Sequence, residues 1–111
     1  MTLMFCAFEG KPMTLRLYGR ANVIHKNDDE WEQYHSLLPQ LPGARQIFKL
    51  KVELVQTSCG MSVPLFEYIE DRELLNNWAI KSEPEKLEKY WEKNNQISLD
   101  GKENNIMERN T

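Results

Sequence analysis

The most regular alternation of hydrophobic and polar residues lies between Gln46 and Ser58 (QIFKLKVELVQTS). Successive side chains of a β-strand point to opposite faces, so this segment predicts a strand with one apolar and one charged face. A half-buried strand of this kind is typical of an antiparallel sheet that is covered on one side only. The apolar face comprises Phe48, Leu50, Val52 and Leu54, and the charged face comprises Lys49, Lys51 and Glu53.

Two further strands are predicted ahead of this one, at residues 1–8 and 13–25. The first (MTLMFCAF) is a near-continuous apolar run, which favours a central strand that is covered on both faces. The four residues Glu9–Pro12 between the two segments indicate a hairpin turn. Because a central strand needs a neighbour on each side, we expect that strands preceding residue 1 are missing from this chain.

The strand predicted at residues 13–25 has one apolar and one polar face. Leu15 and Leu17 share the apolar face, and Thr14, Arg16 and Tyr18 share the polar one. Gly19, in the middle of the strand, predicts a bulge or a close approach of another backbone, because glycine has no side chain to prevent it.

A short helix is predicted over residues 30–38, between the second and third strands. Asn27-Asp28-Asp29 precede it, and such side chains accept hydrogen bonds from the first free N–H groups of a helix. Pro39 ends the pattern, since proline cannot continue a helix.

Two more helices are predicted in the last third of the chain. Asp71 is the candidate N-cap of a helix that continues to residue 81. Ser82 and Glu85 then match a capping box, in which the two side chains bond the first backbone N–H groups of a helix. This last helix is expected to end near Asn94.

Three strands and three short helices predict a mainly β protein with helices, in the α+β class. Three antiparallel strands contribute to the wall of a barrel but cannot close it. We expect residues 1–66 to hold the strands and one inserted short helix, and residues 67–100 to form a helical extension. The tail at residues 101–111 carries little apolar surface, which predicts disorder.

Charge is distributed unevenly along the 111 residues, which carry a net charge of −3. Residues 1–66 hold seven Lys/Arg against six Asp/Glu, and residues 67–111 hold seven against eleven. No basic cluster is present, which argues against a nucleic-acid partner. No apolar run reaches the length of a membrane span, and no signal peptide is evident. A cytoplasmic location without membrane attachment is therefore expected.

Few residues suggest catalysis or metal binding. Cys6 and Cys59 are more consistent with free thiols than with a disulfide, although one bridge between them stays open. A nucleophilic pair of Cys59 with His25 or His35 is formally possible, but strand ends and a solvated helix face explain these positions better. No metal-ligand spacing is found. We name no catalytic residue and no metal ligand.

Two features of the sequence suit ligand binding better than catalysis. The small residues Thr57–Gly60 would let a flat ligand or another backbone come close. Arg16, Arg20 and Arg45 are candidates to hold a phosphate, although each is individually explained as a solvated arginine.

Three segments together resemble the pyridoxamine 5′-phosphate oxidase family: TLMFCAF with LRLYGRANV, then GARQIFKLKVELVQTSCGMSVPLFEY, and finally LEKYWEKNNQISLDG. The most specific part is VQTSCG followed by VPLFEY. The resemblance implies a split β-barrel that binds FMN at the interface of a homodimer. It also implies that residues 1–66 are the C-terminal strands of that barrel, so that this chain forms a partial split barrel.

The resemblance also implies roles for individual residues. Thr14 and Arg16 would lie beside the flavin phosphate and ribityl chain, and Thr57, Ser58 and Cys59 would face the flavin of the opposite subunit. These five residues are the predicted cofactor-binding set.

A flavin-dependent oxidoreductase of unknown substrate, in its complete form, is the function that the resemblance implies. Val55 falls near a position where the true oxidases place a tryptophan, which argues against pyridoxamine 5′-phosphate as the substrate. The alternative is a truncated non-catalytic remnant, or an interaction module that pairs with another chain and binds no flavin.

Overall fold

A computed structural model describes residues 1–111 and contains three strands and three helices. The helices are α1 (Trp31–His35), α2 (Leu74–Lys81) and α3 (Pro84–Asn94). The strands are β1 (Thr2–Cys6), β2 (Thr14–His25) and β3 (Gln46–Ser58). The predicted α+β class, with antiparallel strands in an open, partial barrel followed by helices, is confirmed.

The three strands form one sheet in the order β1-β2-β3. β1 and β2 pair antiparallel, from Thr2 opposite Tyr18 to Cys6 opposite Thr14, which confirms the predicted hairpin. The central strand is β2, so the prediction of a central first strand is wrong for this chain. β1 is an edge strand, and the side chain of Phe5 stays 53% exposed because nothing covers it.

Gly19 is required by a close approach between β2 and β3. A Cβ atom at this position would lie only 1.9 Å from the carbonyl oxygen of Lys51, closer than any side-chain carbon can come. The predicted close backbone approach is therefore confirmed.

The extent of β3 agrees with the alternation of its sequence, but its predicted burial does not. Val52 and Leu54, on the predicted covered face, are 45% and 59% exposed. The expectation of a half-buried strand is wrong here, because no second layer packs on that face of the sheet.

The helices begin without the side-chain caps that the sequence predicts. Their N-cap residues are Glu30, Glu73 and Glu83, and none of them makes a side-chain cap hydrogen bond. The predicted Asp71 cap and the capping box of Ser82 are therefore wrong. Pro84 occupies the first turn of α3, where the missing N–H has no helical partner to lose.

The chain divides into two compact units, which differ from the predicted division at residue 66. The sheet unit comprises Met1–Asn22 and Phe48–Asp71, and the helical unit comprises Val23–Ile47 and Arg72–Thr111. The segment that contains α1 thus groups with α2 and α3 rather than with the strands. None of the helices is long and apolar enough to cross a membrane.

The last residues of the chain pack within the helical unit, in contrast to the predicted disorder. Ile106 is 1% exposed and Asn110 is 8% exposed. The Asn110 side chain donates to the carbonyl of Ile106 at 2.8 Å and accepts from the Lys26 N–H at 3.1 Å. One buried isoleucine and the hydrogen bonds of one asparagine thus order a segment that is otherwise polar.

Candidate functional site

Hydroxyl and arginine side chains meet where β2 begins and β3 ends. Thr14 Oγ1 and Ser58 Oγ share a short hydrogen bond, although the two residues are 44 positions apart in sequence. Arg16 Nη1 donates to the same Ser58 oxygen at 3.3 Å. Thr14 and Arg16 are two positions apart on one strand, so they project from the same face of the sheet.

The same face continues with a second pair of polar side chains. Tyr18 OH donates to Gln56 Oε1 at 3.1 Å. Thr14, Arg16, Tyr18, Gln56 and Ser58 therefore form a polar row across β2 and β3. The sequence analysis placed Thr14, Arg16 and Tyr18 on one face of their strand. It missed Gln56, although Gln56 lies two positions before Ser58 and therefore projects from the same face of β3.

Arg16 differs from its neighbour Arg20 in the partner that it contacts. The Arg20 guanidinium forms an ion pair with Glu53 at 3.4 Å on the exposed surface. Arg16 is half-buried, and its partner is the neutral hydroxyl of Ser58. The polar row therefore carries a positive charge that no carboxylate of the chain neutralises, beside Thr14, which is only 5% exposed.

Two of the five predicted site residues do not join the polar row. Thr57 is one position from Ser58 on an extended strand and therefore projects from the opposite face of β3. Cys59 follows the end of the strand and is exposed. Thr14, Arg16 and Ser58 are thus brought together, and Thr57 and Cys59 are not.

The glycine that follows these residues serves a backbone contact. Gly60 has a φ of +61°, and a Cβ atom there would lie 2.7 Å from the backbone nitrogen of Met13. Of the two options that the small residues left open, a ligand or another backbone, Gly60 serves the second. This contact holds the end of β3 against the residue that precedes Thr14.

A second cluster of polar groups lies at the other end of β2, in the helical unit. His25 is 1% exposed, and its Nδ1 lies 2.7 Å from the Asn110 amide nitrogen. The side chain of Asp28 accepts a hydrogen bond from the backbone N–H of His25 at 2.8 Å and forms an ion pair with Arg109. The ring of His25 is thus occupied by a structural contact.

Burial and neighbouring charges shift the ionisation of this cluster. Burial lowers the pKa of His25 below its ordinary value, and the nearby Arg109 cation lowers it further, although Asp28 opposes the shift. The hydrogen bond from the backbone N–H of His25 holds the pKa of Asp28 below its usual value, and Arg109 lowers this pKa further. These groups favour a neutral histidine and an ionised aspartate.

The two cysteines are free thiols, Cys6 half-buried on β1 and Cys59 exposed after β3. This removes the bridge that the sequence left open. No group of three or more histidine, cysteine or acidic side chains in the chain has an arrangement that could hold a metal ion.

Comparison with known proteins matches part of this chain to a longer protein. Over 74 residues the chain is 38% identical to the pyridoxamine 5′-phosphate oxidase family protein ustO of Aspergillus flavus. The match covers 65% of this chain and 30% of that protein, so the chain spans less than a third of the relative's length. No protein-family model matches the chain, and no solved structure matches it.

Proposed function

We propose, from the premise that this chain is related to the pyridoxamine 5′-phosphate oxidase family, that it is part of an FMN-binding split barrel. The polar row would contact the phosphate and ribityl chain of FMN. The observation that carries the proposal is the half-buried Arg16 guanidinium, whose partner is a neutral hydroxyl rather than a carboxylate.

The side chains of the polar row fit the groups that FMN presents. A guanidinium binds phosphate oxygens through charged hydrogen bonds, and hydroxyl groups both donate to and accept from ribityl hydroxyls. Thr14 and Ser58 already share one hydrogen bond, which fixes both oxygens beside Arg16. Bound flavin would supply the redox chemistry, while these residues would bind and orient it.

The apolar surface of the sheet unit supports a larger assembly. Phe48 and Leu54, which share one face of β3, are each more than half exposed, and an exposed apolar surface of this kind marks an interface. We propose that further strands and a second subunit cover it, giving a cytoplasmic homodimer with FMN at the interface. An FMN-dependent oxidoreductase activity of that assembly, with an unidentified substrate, follows from the same proposal.

Binding of FMN and of riboflavin to the 111-residue chain separates the phosphate contact from contacts to the ring. FMN is expected to bind more tightly than riboflavin, which lacks the phosphate. The variant Arg16→Gln should weaken FMN binding about tenfold, since one charged hydrogen bond is lost, and should leave riboflavin binding unchanged. Flavin fluorescence during titration measures both constants.

Arg20→Gln is the matched control, because it removes an arginine from the same strand that already has a carboxylate partner. Its affinity for FMN should equal that of the unmodified chain. The proposal would be contradicted by equal binding of FMN and riboflavin, by no binding of FMN, or by equal losses in the two arginine variants.

A further inference from the structure

The helical unit contains an aromatic groove that is separate from the polar row. Its volume is about 630 Å³, and its walls come from the turn before Arg45 and from α2 and α3. Small-molecule sites have volumes of roughly 300–1,000 Å³ and combine apolar walls with a few polar groups. The groove has the size and composition of such a site.

The wall formed by the turn is shaped by Gly43. Leu41 to Ala44 form a β-turn in which the Ala44 N–H donates to the Leu41 carbonyl at 3.2 Å. Pro42 followed by Gly43 at a φ of +76° is the signature of a type II turn, whose third position requires glycine. A Cβ atom at Gly43 would lie 3.3 Å from the Cβ of Ala79. Glycine therefore lets the turn approach α2 and fixes where Arg45 emerges.

The other walls are aromatic and apolar. Trp78 of α2 and Tyr90 of α3 meet edge to face, with 5.4 Å between ring centroids and an interplanar angle of 71°. Trp91 is 5% exposed, so it is held firmly in place. Leu75 and Leu87 complete the lining. Aromatic rings in fixed orientations favour a flat ligand that stacks on them or meets their edges.

Arg45 is the one cationic side chain that lines the groove. Its Nη1 donates to Asn95 Oδ1 at 2.7 Å, a neutral acceptor. Asn95 is the C-cap of α3, and its N–H donates to the Trp91 carbonyl at 2.8 Å, so the acceptor itself is fixed. By contrast, Arg109 of the same unit is paired with Asp28. Arg45 is therefore a positioned, half-buried cation beside aromatic walls, with donors left for an anion.

We propose that this groove binds a small aromatic carboxylate, with the ring against the aromatic walls and the carboxylate on Arg45. A guanidinium presents parallel N–H donors that match the two oxygens of a carboxylate. The apolar walls exclude water around the ring, so the ionic contact is stronger than it would be on an open surface. The proposal is independent of FMN binding, because its residues all belong to the helical unit.

Titration of the 111-residue chain with naphthoate and with naphthamide tests this site directly. The two probes share one ring system and differ in charge. Naphthoate is expected to shift the indole N–H resonances of Trp78 and Trp91 in a ¹H–¹⁵N spectrum, and to bind about tenfold more tightly than naphthamide. Trp31 should not respond, because it stacks on His35 with centroids 5.0 Å apart and does not line the groove.

Two variants of Arg45 and a control variant test whether Arg45 is the cation that binds the carboxylate. Arg45→Gln should reduce the affinity for naphthoate to that for naphthamide, and Arg45→Lys should keep a preference for naphthoate. Arg20→Gln, in the sheet unit, should bind both probes as the unmodified chain does. Equal affinity of the unmodified chain for both probes would overturn the proposal without any variant. A response of Trp31 alone, or an unchanged preference in Arg45→Gln, would overturn it as well.

Discussion

The sheet unit and the helical unit differ in what each of them buries. In the helical unit the buried apolar residues are Ile24, Ala79, Trp91 and Ile106, and His25 and Asn110 are buried with them. In the sheet unit the one buried residue is polar, Thr14 of the polar row. The helical unit thus has a core of its own, whereas the sheet unit presents apolar side chains at its surface and buries a candidate ligand contact.

This difference indicates separate roles for the two units. An apolar side chain contributes to stability in proportion to the area that it removes from water, roughly 25 cal/mol per Å². Leu54, at 59% exposed, leaves most of that contribution unused within this chain. A small sheet gains stability by burying an apolar face, and Phe48 and Leu54 on that face of β3 are more than half exposed. We therefore expect the helical unit to dominate the stability of the isolated chain.

The largest expected effect is the loss of an aromatic side chain from the core of the helical unit. Trp91→Ala should lower the free energy of unfolding by about 3–5 kcal/mol, because it removes a buried ring and leaves a cavity. Phe48→Ala is the matched change in the sheet unit, where the ring is 55% exposed, and should cost about 1 kcal/mol or less. Urea denaturation followed by circular dichroism measures both. Equal losses would show that the sheet also carries a core.

Local pattern predicted the strands better than it predicted contacts between distant residues. The bounds of β3 follow from alternation over neighbouring positions, and they agree with the structure. The ordering of the tail depends on Asn110 and His25, which are 85 positions apart, so no local pattern could reveal it. Asp28, a predicted helix cap, instead contacts Arg109. The position of the Asp28 side chain is thus set by a partner 81 residues away, which a local capping pattern does not reveal.

The candidate site shows the same contrast between what local pattern predicts and what depends on contacts between distant residues. Thr14 and Arg16 were predicted from a resemblance, and strand alternation alone accounts for their common face. Gln56 was missed because its contact with Tyr18 depends on the register between β2 and β3. Thr57 was also included through the resemblance, whereas strand alternation directs its side chain away from Ser58.

The second prediction concerns the pH dependence of stability, which should arise from His25 and Asp28 in the helical unit. The folded state holds His25 at a lowered pKa, so the unfolded chain binds more protons as the pH falls below 6.5, the ordinary value for histidine. Stability should therefore decrease from that pH downwards. Asp28 has a lowered pKa too, and its contribution is present above 3.8 and is lost as the pH falls through its folded value.

His25→Gln removes the first of these two phases while keeping a side chain that can bond to Asn110. The variant should show a flat dependence of the urea midpoint on pH just below neutrality, where the unmodified chain declines. It should still lose stability in stronger acid, where Asp28 titrates. A variant that declines as steeply as the unmodified chain would place the acid sensitivity elsewhere, for example in the sheet unit.

The smallest expected effect concerns the one buried residue of the sheet unit. Ser58→Ala removes the partner of the Thr14 hydroxyl, which is 5% exposed, and should lower the free energy of unfolding by about 1 kcal/mol. Thr57→Ala removes a hydroxyl from the adjacent position on the opposite face and should change stability by less than about 0.5 kcal/mol.

The same two variants distinguish the roles of Ser58 and Thr57 in FMN binding, because Ser58→Ala should weaken the binding of FMN severalfold while Thr57→Ala leaves it unchanged. Urea denaturation without flavin and fluorescence titration with FMN provide independent measurements. If both variants lost equal affinity, the ligand would contact both faces of β3, and the polar row would not define the site.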